Sequence, residues 1–474
     1  NKIILMKKYF FLLVFTFITL SLHAKIRLPN IVGSNMVLQQ KSNTKVWGWA
    51  SPGEKIKITT SWDNKTIDTK ADGNANWQVN IQTPVAGGPY TITLQGQNKI
   101  VLDNVLIGEV WICSGQSNME WSFNNGVKTI KDEFAHLSKL KIRLFHIPKT
   151  TAKTPQDNVD GNWAVIDSNN LKAFSAVGYY FGKNLNQAMD VPIGLISSNW
   201  GGTPAEAWTP DSMVESNPVL KEAAAKNKPK ASWPVSPGYA YNAMIAPLVN
   251  FQIAGTIWYQ GESNTETAST YAELMNTMIA SWRKAWNKDF PFYYVQIAPY
   301  KYGNKNIGAL LREAQIKSLS TKNTGMVVVS DLVNDTLNIH PVNKKDVGIR
   351  LANLAIDEAY GLNKSASPKN PLFKTVTVKG SNATIDFYNA DTGLEIKGNM
   401  VREIFIAGTD QIFYPAIVKI KGNTIVVSSK QVKTPVAVRY QFSNAGIGNL
   451  VSKQGLPVAP FRTDNWELST DKIK

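Results

Sequence analysis

The amino-acid sequence predicts an α/β protein: a three-layer α/β/α domain with a parallel sheet, flanked by two β-sandwich-like domains. Three observations predict it. Between about residues 105 and 364, strand-like and helix-like segments alternate; the strand-like ones are apolar at consecutive positions; and the regions on either side carry short strands broken by Gly, Asn, Pro and Asp. Consecutive apolar positions mean that both faces of a strand are covered, as in a parallel sheet between helix layers. Such doubly wound sheets hold their functional loops at the carboxyl ends of the strands.

The elements follow in chain order. Residues 1–24, NKIILMKKYFFLLVFTFITLSLHA, place Lys7 and Lys8 before an apolar run from Tyr9 to about Leu22 and end on Ala24, the layout of a secretory signal. The run is shorter than the roughly 20 residues needed to span a bilayer, so cleavage is expected, leaving a secreted or periplasmic chain with no membrane contact. Removing Lys2, Lys7 and Lys8 with the signal lowers the net charge by three, from +16 to +13. The remaining basic residues are scattered and form no block, which argues against a nucleic-acid partner. Cys113 is the single cysteine, so neither an intramolecular disulfide nor a cysteine-based zinc site is possible.

Residues 25–104 contain KVWGWA, EKIKITTSW, NWQVNIQT and GPYTITLQG between turn residues and read as an N-terminal β-domain. From 105 to 364, VLIGEVWICSG, VPIGLISSNW, GTIWYQG, FPFYYVQIA and GMVVVSD read as strands. The segments SAVGYYFGKNLNQAM, TYAELMNTMIASWRKAW, GALLREAQIKSLS and VNKKDVGIRLANLAIDEAYG read as the helices between and after them. LNKSASPKNP resembles a linker, and residues 365–474 return to short strands, a second β-domain. With 474 residues the chain is long enough for each region to hold its own core. It carries no signal for oligomeric state.

Three polar clusters fall at expected strand ends. In VWICSGQSNMEWS, Cys113 lies within the apolar run, where cysteine behaves as a small buried hydrophobe. Ser114 and Gly115 form the bend, and Ser117 lies one step past it, near a helix start, where a hydroxyl is exposed and backbone N–H groups face a developing oxyanion. An N-capping serine is the structural alternative. In SSNWGGTPAEAW, Gly201 and Gly202 let backbone amides approach a ligand, or simply make a tight turn. In WYQGESN, Gln260, Ser263 and Asn264 can donate hydrogen bonds and Glu262 can accept them. A serine nucleophile needs a base. Of His136, His146 and His340, only His340 follows a sheet strand by a polar loop and precedes a long helix, which puts it at the same sheet edge as Ser117.

GQSNME (115–120), SNWGGTPAEAW (198–208), WYQGESN (258–264), LREAQ (311–315) and NIHPVNKKDVGIRLA (338–352) together resemble the sialate O-acetylesterase family of SGNH hydrolases, whose core is flavodoxin-like. The resemblance covers nearly the whole chain after the signal. It implies Ser117 as nucleophile, His340 as base, and an oxyanion hole from the Ser117 amide, Gly201 or Gly202, and a side chain in the Gln260–Asn264 segment. It also implies an O-acetylated sialic acid or another acetylated glycan as substrate, with no metal and no organic cofactor.

The family often carries Asp two residues before the histidine, where this chain has Asn338. Asp335 is the expected substitute, with Asp331, Glu262 or a Ser–His dyad aided by backbone carbonyls as alternatives. Arg312 is either an ion-pairing arginine or a fork for a sugar carboxylate. Trp200, Trp208, Trp258 and Tyr259 either stack on sugars or fill the core. Two other functions fit the same blocks: deacetylation of a plant-type polysaccharide such as xylan, and glycan binding by a catalytically inactive chain.

Overall fold

Burial on both faces of a strand is what orders this chain, and it is visible in the sheet at its centre. The computed structural model describes residues 25–303, 306–362 and 367–468, so the expected signal and the division between 364 and 365 lie outside the described residues. The central sheet contains β1 (Lys99–Gly115), β2 (Ile142–His146), β3 (Trp163–Val165), β4 (Ile193–Asn199), β5 (Gly255–Tyr259), β6 (Phe292–Val295) and β7 (Thr324–Val327). Their spatial order is β7-β6-β5-β1-β4-β2-β3. Neighbours along this path are parallel except the edge strand β3, which runs antiparallel to β2.

Helices α1 (Ser117–Glu120), α2 (Ala176–Met189), α3 (Ala268–Trp286), α4 (Ile307–Lys317) and α5 (Lys344–Glu358) accompany it. Alternation along β1 divides the core. Val110 and Ile112 pack with Tyr271, Met278 and Trp282 of α3 and Leu311 of α4. Trp111 and Cys113 pack on the opposite face with Val177 and Phe181 of α2 and Leu351 and Leu354 of α5. The result is the three-layer α/β/α arrangement, in which each large buried side chain contributes about 1.5–3 kcal/mol.

β1 does more than centre the sheet. Its 17 residues also pair antiparallel with Gly87–Gln95 and parallel with Val37–Gln39, so strands of the N-terminal region and of the α/β region share one hydrogen-bonded sheet. The sequence-based division at 104/105 falls inside this strand, where Asn104 takes a left-handed φ of 55°. Asn43–Trp49 and Asn76–Gln82 form a separate antiparallel pair. After residue 372, antiparallel sheets enclose a core that includes Ile385, Ile406, Ile425, Val438 and Tyr440. Among the described residues, no helix is long and apolar enough to cross a membrane.

The register places the site. Gly115 at the end of β1 lies level with Asn199 of β4 on one side and Tyr259 of β5 on the other. Three polar loops therefore leave the sheet side by side, at the point where the chain order reverses across β1.

Candidate active site

The turn after β1 is built around Gly115. Its φ is 134°, and a Cβ there would lie 2.2 Å from the Tyr259 carbonyl oxygen, so the backbone can bend only as glycine. Gln116 follows, its amide donating to the Tyr259 oxygen at 2.9 Å, and Ser117 then opens the single turn α1. Ser117 is partly exposed, whereas Cys113 and Ser114 are buried. Burial also pushes the Cys113 thiol far up, and its sulfur faces Gly178 of α2.

The His340 ring lies over Ser117, with Nε2 2.9 Å from Oγ. Trp121 stacks on the ring at a centroid distance of 4.4 Å and fixes its plane. Burial, and then the nearby Lys344 ammonium, lower the His340 pKa to about 4 against an opposing pull from Glu120. The imidazole is therefore neutral at pH 7 and free to accept a proton.

Asp335 does not provide the third member. Its carboxylate accepts from the Leu337 amide at 2.8 Å, and it makes no hydrogen bond to His340. Asn338 acts on the backbone, where its Oδ1 accepts from the His340 amide at 2.9 Å and shapes the loop. Asp331 is taken by Arg350 in a two-pronged pair at 2.7 and 2.6 Å. Among the described residues no carboxylate hydrogen-bonds the imidazole. The sequence offered acids near His340 in the chain, but each is held by a closer donor.

The glycine loop comes next. A Cβ on Gly201 would lie 3.2 Å from the Ser117 Cβ, so this residue borders Ser117. It donates at 2.6 Å to Glu120 Oε2, whose other oxygen pairs with Lys149 at 2.6 Å. A negatively charged oxygen already occupies the amide expected to serve an oxyanion. Gly202, with φ 82°, turns the chain, and its carbonyl accepts from Ser263 Oγ at 2.9 Å.

Gln260 and Asn264 face inward, which corrects their expected role as donors to the reacting oxygen. Gln260 Nε2 donates to Asn264 Oδ1 at 2.7 Å and to the Thr203 oxygen at 3.3 Å, which uses both its N–H bonds. Asn264 accepts from the Ala205 amide and donates to Glu206 at 2.8 Å. Together they lash the second loop to the third. Trp208, Trp258 and Tyr259 are core residues, each no more than 1% exposed, while Trp200 is half-buried with its indole N–H on the Ser232 oxygen.

Arg312 is also corrected. It is 1% exposed, and its guanidinium donates to the carbonyls of Gly308 and of Ser443 in the C-terminal region. Burial lowers its pKa to about 10. Glu262 is buried too. One oxygen accepts from Asn118 Nδ2 at 2.6 Å, the other has no partner, and burial raises its pKa. Sequence reasoning passed over Glu120, Trp121, Asn118 and Lys344. Asn118 and Glu120 sit inside the GQSNME block and differ in no visible way from capping residues, Trp121 directly follows it, and Lys344 is one of two adjacent lysines at a helix start.

The three-layer fold, with a serine and a histidine in hydrogen-bond contact at its switch point, is that of an SGNH-type hydrolase, and the family match makes the class a carboxylic ester hydrolase. Residues 107–357 match the family described as carbohydrate esterase, sialic acid-specific acetylesterase, and the chain belongs to that family. It is 29% identical over 488 residues to the sialate O-acetylesterase of Rattus norvegicus, covering 88% of this chain and 89% of that protein. The Homo sapiens sialate O-acetylesterase is 28% identical over 463 residues, with 88% and 87% covered. A crystal structure of a carbohydrate acetylesterase from Xanthomonas citri superposes with a TM-score of 0.84 at 38% identity, covering 93% of this chain and 100% of that one.

Proposed function

We propose that the chain is a secreted or periplasmic serine esterase that removes O-acetyl groups from sialic acids. The contact of 2.9 Å between Ser117 Oγ and His340 Nε2 carries the reading. Ser117 Oγ attacks the acetyl carbonyl carbon while His340 Nε2 takes its proton. The tetrahedral intermediate collapses, the C–O bond to the sugar breaks, and the imidazolium gives its proton to the departing hydroxyl. Water, deprotonated by the same imidazole, then attacks the acetyl-enzyme; the bond from the acyl carbon to Ser117 Oγ breaks, acetate leaves, and the imidazolium returns its proton to Oγ. The Gly201 amide receives the oxyanion once the Glu120 carboxylate moves aside, and a donor of this kind contributes about 3–4 kcal/mol to lowering the barrier.

The family and the sialate esterases among the relatives support the sugar assignment, and the Lys7–Lys8 leader supports the location. Ser117→Ala is expected to abolish acetate release from O-acetylated sialic acid with an unchanged circular dichroism spectrum. Turnover surviving in that variant would sink the assignment. Burial of Arg312, which withdraws the expected carboxylate receptor, favours a second reading in which the sugar is a neutral acetylated polysaccharide such as xylan. Rates on acetylated sialosides against acetylated xylan separate the two.

A further inference from the structure

Beneath the Ser117–His340 pair lies a charged cluster that the proposed reaction does not use. Lys344, the first residue of α5, is 1% exposed. Its ammonium donates to Asn118 Oδ1 and lies 5.7 Å from the ring centre of Trp121 and 5.3 Å from that of Tyr259. Asn118 is the neighbour of Ser117, and its Nδ2 donates to Glu262 at 2.6 Å and to the Ile339 carbonyl at 3.0 Å, one residue before His340. Trp121, which shares its indole with Lys344, is the ring stacked on His340. The amine thus meets Asn118 and the rings of Trp121 and Tyr259, and through Asn118 it is linked to the histidine loop and to Glu262 in the turn after β5.

We propose that Lys344 is a positioning residue of this site: it holds the Asn118 side chain that ties the Ser117 segment to the histidine loop and to Glu262 and, opposed by Glu120, sets the charge that the His340 ring can carry. The inference rests on the Ser117–His340 reading. A buried ammonium is retained only where it has partners, and an ordinary helix start has no use for one. Here the acid expected on the histidine is absent and a cation acts on the ring instead, so burial keeps the base neutral and the Lys344 charge adds to that effect.

The charges acting on the ring come from two elements, Lys344 on α5 and Glu120 on α1. Glu120 is itself held by Lys149 and the Gly201 amide and also acts on His146 of β2. Lys344 is drawn down to about 7 by burial, with Glu262 resisting.

The test is the pH dependence of kcat/KM on an aryl acetate. In Lys344→Met the ring loses its repelling neighbour, and the acid limb is expected to move up by about one pH unit or more. Lys344→Arg, which keeps the charge, is expected to restore the original limb. An unmoved limb in Lys344→Met overturns the proposal. Should that variant fail to fold, the wild-type protein still decides. Ring-nitrogen NMR of His340 is expected to show, besides its own titration, a smaller step near pH 7 as Lys344 deprotonates, and a single-step curve overturns the proposal. Loss of the Ser117–His340 reading itself would appear differently, as turnover surviving in Ser117→Ala.

Discussion

At Ser117 the proposed nucleophile is partly exposed because Gly115 turns the backbone, and at His340 the ring is held by stacking on Trp121 where a carboxylate was expected. That exchange has a consequence for acidity. With the ring pKa lowered to about 4 by burial and Lys344, the imidazole stays neutral as the pH falls from 7 to 5, so kcat/KM is expected to remain flat there and drop only near pH 4. An ordinary histidine would lose activity through its usual value of about 6.5. A pH–rate profile with its acid midpoint at 6 or above contradicts this electrostatic account. Gly201 gives a second prediction. A methyl group there would press within 3.1 Å of Glu120 Oε2 and 3.2 Å of the Ser117 Cβ, so Gly201→Ala is expected to lower kcat by on the order of 10- to 100-fold. Wild-type kinetics in that variant would show that this amide does not border the reaction.

Among the elements, the strands and helices of the hydrolase layer were legible because they are long, periodic and buried. The apolar runs ending at Gly115, Asn199 and Tyr259 each became a parallel strand, and their polar sequels became adjacent loops. What was illegible depends on side-chain direction. Gln260 and Asn264 read as donors, but both turn inward because the backbone groups of Thr203 and Ala205 need partners where two loops meet in a dry interior. No spacing along the chain reports that choice. The same holds for Lys344 and Asn118, which are 226 residues apart and meet only when α5 packs beside α1. The turn itself can be tested. Gly115→Ala forces a side chain into left-handed backbone and against the Tyr259 oxygen, and is expected to cost about 1–3 kcal/mol in chemical denaturation. An unchanged midpoint would mean that β1 can shift away from β5.

Across the whole molecule, the C-terminal sheets are fastened to the hydrolase layer through α4. Arg312 reaches the Ser443 carbonyl, and the adjacent Glu313 pairs with Arg462 at 2.8 and 3.0 Å. Arg312→Met is therefore expected to reduce stability by about 2 kcal/mol and to change turnover of acetylated sialoside and aryl acetate by the same factor. A selective loss on the sialoside would return Arg312 to the role of carboxylate receptor. At the other end of the chain the attachment is of a different kind. Because β1 begins among the N-terminal strands and ends at the turn before Ser117, the two regions share a strand. The N-terminal part cannot be removed or exchanged as a module without dividing a strand, whereas the C-terminal sheets share no strand with the central sheet and are joined to it by side-chain contacts and the backbone bond from the Tyr300 amide to the Asn444 oxygen.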